Sequence, residues 1–137
     1  KVTLNRVEAC RDIAGEALAR FAEQSLTALR RAMPVRHAGG ASRLMALRPD
    51  YARPSPAHVV AAAREAAQFL AAAPGLARRL HRAPAATGVV EDAVEETRRY
   101  LSDLVVEIRA AEGEDRAAAR RHMYAAIDIA APLLPAD

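Results

Sequence analysis

Arginine is the residue through which this chain can do most of its chemistry. Six arginines fall between residues 30 and 53 (Arg30, Arg31, Arg36, Arg43, Arg48 and Arg53), with Asp50 as the only acid, a local net charge of +5. A guanidinium is a planar fork suited to phosphate and carboxylate, and apolar neighbours such as Leu44 and Leu47 can enter the upper acyl region of a bilayer. Residues 74–86 add Arg78, Arg79 and Arg82 without an acid, whereas residues 87–112 hold seven acids against three arginines, a net −4. The overall charge of +3 conceals this asymmetry. The stretch 36–53 is therefore the expected contact with an anionic partner, through Arg36, Arg43, Leu44, Leu47, Arg48 and Arg53. The competing reading is a solvated loop whose Leu44 and Leu47 cap the core.

Other chemically capable residues are scattered. His37, His58, His81 and His122 lie far apart, and Cys10 has no second cysteine to pair with, so neither a zinc site nor an internal disulfide is legible. No Glu-x-x-His pair marks a di-iron helix. Gly39-Gly40 lacks the spacing of a nucleotide-binding loop and reads as a tight turn, so no cofactor is expected. Glu91 and Glu95, and Asp92 and Glu96, are i,i+4 neighbours on an outer helical face, with Glu95 four residues before Arg99 in a favourable ion-pair order. They read as a solvated surface. Arg11 falls on an apolar face and is expected to snorkel or to meet an acid from a neighbouring helix, such as Asp128 or one of the third helix.

Four amphipathic segments must position these groups. The first places Leu4, Val7, Ala14, Leu18, Phe21, Ala22, Leu29 and Met33 on one face and ends near Pro34. The second is expected to start with Ser55 as N-cap and Pro56 at the first helical position, and to stop at Pro74-Gly75. The third, capped by Thr87, has an apolar face of Val90, Val94, Thr97, Leu101, Leu104, Val105 and Ile108 and ends at Gly113. The fourth runs from about Glu114 to Ala131, with Ala119, Met123, Ala126, Ile129 and Ala130 inward and His122 on the same side. No segment alternates as a strand would. With 35 alanines and no tryptophan in 137 residues, the core must rest on Leu, Val and Ile. The expectation is one all-α domain over residues 1–137, a bundle of four main helices with long first and second connections. No apolar run is long enough to span a bilayer and no signal-peptide pattern is readable. A chain opening at Lys1 is expected to be an excerpt or a processed product, and nineteen arginines to one lysine fit the codon usage of a GC-rich bacterial genome.

Two resemblances bear on function. The run Arg116-Ala-Ala-Ala-Arg120-Arg121-His122-Met123-Tyr124 resembles the Arg-x4–6-His motif of the HEPN helical-bundle ribonucleases. It would imply phosphate stabilisation by Arg116 and proton transfer by His122. The alternative for His122 is a hydrogen-bonded core histidine. The whole chain, a helical bundle with a basic and apolar loop at residues 36–53, resembles the four-helix membrane-localisation domains of bacterial toxins and type III effectors, which implies docking on anionic lipid. The expected function is a non-enzymatic interaction or targeting module meeting an anionic surface, phospholipid headgroups or an acidic protein. Nucleic acid is less favoured because aromatics for base stacking are few. A ribonuclease using Arg116 and His122, and a protein–protein or dimerisation bundle, are the alternatives.

Overall fold

The spacing of Leu18, Ala22, Leu26 and Leu29 puts four apolar side chains on one stripe of a helix, and in the computed structural model all four are buried. That helix, α1, spans Val2–Arg31. It is followed by β1 (Val35–Ala38), β2 (Ala46–Pro49), α2 (Ala57–Leu80), α3 (Pro84–Ala110), α4 (Gly113–Ala130) and a 3-10 turn at Ala131–Leu133. Residues 2–38, 46–82 and 84–135 are described by the structure. The architecture is an all-α four-helix bundle carrying one two-stranded hairpin.

The leucines of α1 meet an alanine-rich face of α2, made by Ala63, Ala66, Ala67, Leu70, Ala73 and Ala77. Alanine adds little area, but it lets the backbones approach so that Leu29 and Leu70 lose all contact with water. Ala86, Val90 and Ala93 of α3, with Ile129 and Leu133 from the C-terminal end, complete this layer. A second, smaller cluster joins Tyr100 and Leu104 of α3 to Ala126 of α4, with Met33, Leu101 and Met123 against it.

Several boundaries differ from expectation. α2 does not stop at Pro74-Gly75 but continues to Leu80. Proline lacks the N–H that would bond four residues back, at a cost of about 3 kcal/mol, yet the helix continues through it with Leu70, Ala73 and Ala77 buried on either side. The helix instead ends at His81, whose φ of 52° is the left-handed conformation of a helix C-terminus, with N–H groups of His81 and Arg82 returning to carbonyls of Arg78 and Ala77. α3 starts at Pro84 rather than after Thr87, so the second connection is short where a long one was expected. The α2 N-cap is Pro56, one residue later than Ser55, and no side chain caps it. On α1, Leu4 and Phe21 are exposed rather than inward; Phe21 stacks edge-on against Phe69 instead. The α3 face is turned slightly, burying Ala93 and Tyr100 and leaving Val94, Leu101, Val105 and Ile108 half-buried. Gly113, at a φ of 59°, reverses the chain between α3 and α4.

The long first connection holds the antiparallel hairpin, in which Arg36 pairs with Arg48 and His37 with Leu47. Its four-residue strands are too short to show a periodic signal against the surrounding helices.

Candidate functional site

Pairing across the hairpin sets Arg36 and Arg48 side by side, and both reach α3. Arg36 donates to Glu107 at 2.6 Å, while Arg48 reaches Glu107 at 3.4 Å and Asp103 at 3.8 Å. Arg30 makes a two-pronged bond to Glu96 at 2.8 and 2.7 Å, which holds the Glu96 carboxyl below its ordinary range. The acidic helix thus neutralises the basic connection within the molecule. Elsewhere Arg82 joins Glu8 and Asp12, and Asp128 pairs with Arg64 rather than with Arg11, whose acid is Glu8, three residues away on its own helix.

Of the residues expected to bind an anion, Arg36 and Arg48 are therefore engaged. Leu47 stands exposed, lining with Val35 and Met33 a recess that Arg30, Arg31 and Glu96 also border. Arg43 and Leu44 lie outside the described residues. Arg53 is placed differently: it is exposed, makes no ion pair among the described residues, and lines a cavity of about 280 Å³ between residues 51–55 and α4.

That cavity brings together groups distant in sequence. The N–H of Asp50 donates to the Pro34 carbonyl at 2.9 Å, and its carboxylate accepts from the Ala52 N–H at 3.1 Å. These two bonds turn the chain off the hairpin and lead it across α4 into the first turn of α2. Tyr51, Arg53 and Ser55 line it from the first connection, and Arg121, His122, Ala126 and Ile129 line it from α4. Arg121, like Arg53, is exposed and without an ion-pair partner among the described residues. The N-terminus of α2, with Ser55 and Val60 on the cavity wall, adds a partial positive charge.

His122 is 9% exposed, and its place in the bundle is set by Tyr100. The Tyr100 oxygen lies 2.8 Å from the Pro34 carbonyl oxygen and 2.7 Å from His122 Nε2. The carbonyl can only accept, so the single phenolic hydrogen goes to it, and Nε2–H of His122 donates to the Tyr100 oxygen. Neutral His122 therefore carries its proton on Nε2 and a lone pair on Nδ1. Burial lowers its pKa, opposed in part by Asp50, and the same burial raises that of Tyr100, with Asp50 adding to the rise. A neutral imidazole held by a neutral phenol is the resting state. The expected hydrogen-bonded core histidine is present, and Tyr100 is the partner that sequence reasoning missed.

Arg116 is not part of this cavity. Its Nε donates to the carbonyls of Ala111 at 2.8 Å and Ile108 at 3.2 Å, satisfying the C-terminal end of α3. Among the described residues no three His, Cys, Asp or Glu side chains converge to hold a metal ion, and no helix is long and apolar enough to cross a membrane. The chain matches no protein-family model, no curated protein and no solved structure.

Proposed function

We propose that this chain is a non-enzymatic interaction module that docks on an anionic surface, with phospholipid headgroups the favoured partner, through Arg53 and Arg121 at the mouth of the cavity. One observation carries the reading: Arg36 and Arg48 of the basic connection are spent on α3, while Arg53 of the same connection and Arg121 of α4, neither with an ion pair among the described residues, line one concave site together. Unpaired guanidinium groups keep their full attraction for phosphate, whereas Arg36 and Arg48 would first have to leave Glu107. The likeness to membrane-localisation domains of toxins and effectors belongs to this proposal, on architecture and on the mixture of arginine with apolar side chains.

Each basic group near an anionic membrane contributes about 1 kcal/mol, so losing two weakens binding about 30-fold. Sedimentation with acidic vesicles tests the assignment. Replacing Arg53 and Arg121 together by Gln should cause that loss without lowering thermal stability. Replacing Arg36 and Arg48 by Gln should instead destabilise the fold, because Glu107, with a side chain only 12% exposed, loses both partners. A binding loss confined to the second pair would transfer the docking role back to the hairpin.

A further inference from the structure

The arginines can recognise any phosphate; of the other polar groups on the cavity, the hydroxyls of Tyr51 and Ser55 can rotate to donate or accept, and the His122 imidazole is more selective. Nε2 of His122 is committed to Tyr100, so Nδ1 is the imidazole's only open position. It has no hydrogen-bond partner among the described residues. It is not sealed from solvent either, since among the described residues the only buried side-chain polar atom without a partner is Thr97 Oγ1. The ring lines the cavity that Arg53 and Arg121 flank. Beside the rotatable hydroxyls of Tyr51 and Ser55, the site therefore offers two cationic forks and one fixed acceptor. A bare phosphate satisfies the forks and leaves the acceptor dry. A ligand that carries a hydroxyl beside its phosphate satisfies all three.

We infer that the cavity selects a phosphoester bearing a neighbouring hydroxyl, of the size of a glycerol phosphate, with Arg53 and Arg121 on the phosphate and Nδ1 of His122 accepting the hydroxyl hydrogen. The inference rests on the anionic-docking reading and names the headgroup class that reading leaves open. Size argues for a small polyol: about 280 Å³ lies just below the usual range of ligand cavities and leaves no room for a whole nucleotide beyond its sugar and phosphate. The apolar side chains of Ala126 and Ile129 suit the carbon chain of such an ester. Tyr100 is a positioning residue here, because it fixes which nitrogen carries the proton.

Binding of glycerol 1-phosphate and of methyl phosphate, measured by calorimetry at equal salt, tests this. A net hydrogen bond corresponds to a preference of about threefold to tenfold for the glycerol ester. His122→Gln keeps an N–H where Nε2 donates to Tyr100 but has no atom at Nδ1, so it should abolish the preference while methyl phosphate binds as before. Arg121→Gln should weaken both esters. If His122→Gln fails to fold, nitrogen NMR of the wild-type imidazole decides: Nδ1 should shift with glycerol 1-phosphate and not with methyl phosphate. Equal affinities, no binding of either ester, or a single-stranded oligoribonucleotide displacing the glycerol ester at far lower concentration would each overturn the inference. Vesicles of phosphatidylglycerol against vesicles of equally charged phosphatidylserine separate the sources. A preference carried into vesicles assigns a lipid headgroup; one confined to the soluble ester assigns a free phosphoester and removes the membrane reading alone. Equal vesicle binding with equal ester binding removes the inference and leaves the docking reading standing.

Discussion

Replacing Tyr100 by Phe removes one oxygen atom at the point where α3, α4 and the first connection meet. The magnitude follows from which groups lose a partner. The Pro34 carbonyl retains the N–H of Asp50 at 2.9 Å, so it stays satisfied. Nε2–H of His122 retains nothing, because the Tyr100 oxygen at 2.7 Å is its only partner among the described residues. A buried donor left unpaired costs about 1–3 kcal/mol. Over a chain of this length that corresponds to a fall in Tm of about 3–12 °C. The imidazole can recover part of the loss by moving its proton to Nδ1, where it can meet water in the cavity. The variant should therefore show both a stability loss by urea denaturation and a change of His122 tautomer by nitrogen NMR. A Tyr100→Phe protein within about 0.5 kcal/mol of wild type, with Nε2 still protonated, would refute the hydrogen-bond assignment.

Two further outcomes concern packing and pH. Leu104→Ala should cost about 2–5 kcal/mol because Leu104 is fully buried, while Val106→Ala, at a site 51% exposed, should stay near wild type; equal losses would mean the α3 face is wrongly oriented. His122 has a folded pKa below its ordinary value of 6.5, so as pH falls the unfolded chain takes up the proton first. Stability present above that range should decline as pH drops through it toward the lower folded value, and His122→Gln should lose this component; a wild-type protein whose stability rises on acidification through the same range would contradict it.

The four helices, the inward side of His122 and the turn at Gly113 were legible because each is encoded within a few residues. Apolar spacing is a local signal, and so is glycine at a reversal. Pro74 misled for the same reason: locally it breaks a helix, whereas α2 runs on through it, packed into the core by Leu70, Ala73 and Ala77 with Leu80 beyond. Leu4 and Phe21 have the right period for a core face but stay exposed, Phe21 meeting α2 only through the edge-on contact with Phe69. The candidate site was the least legible part. The ion pairs of Arg36 and Arg48 join residues 55 to 71 positions apart, so a count of charge along the chain shows the acidic stretch of α3 but not which arginines it neutralises. Arg53 was recognisable as a basic residue of the first connection. Its meeting with Arg121 depends on the turn at Asp50, and the role of Tyr100 depends on the packing of α3 on α4.

The most direct measurement is the binding of wild-type protein to acidic and to neutral vesicles across a range of salt. Unpaired arginines at a concave mouth predict binding to the acidic vesicles at low salt, weakening steadily as the Debye length falls from about 30 Å at 0.01 M to about 8 Å at 0.15 M, with neutral vesicles ignored throughout. A protein that ignores acidic vesicles at the lowest salt, or binds neutral ones equally well, would contradict the account.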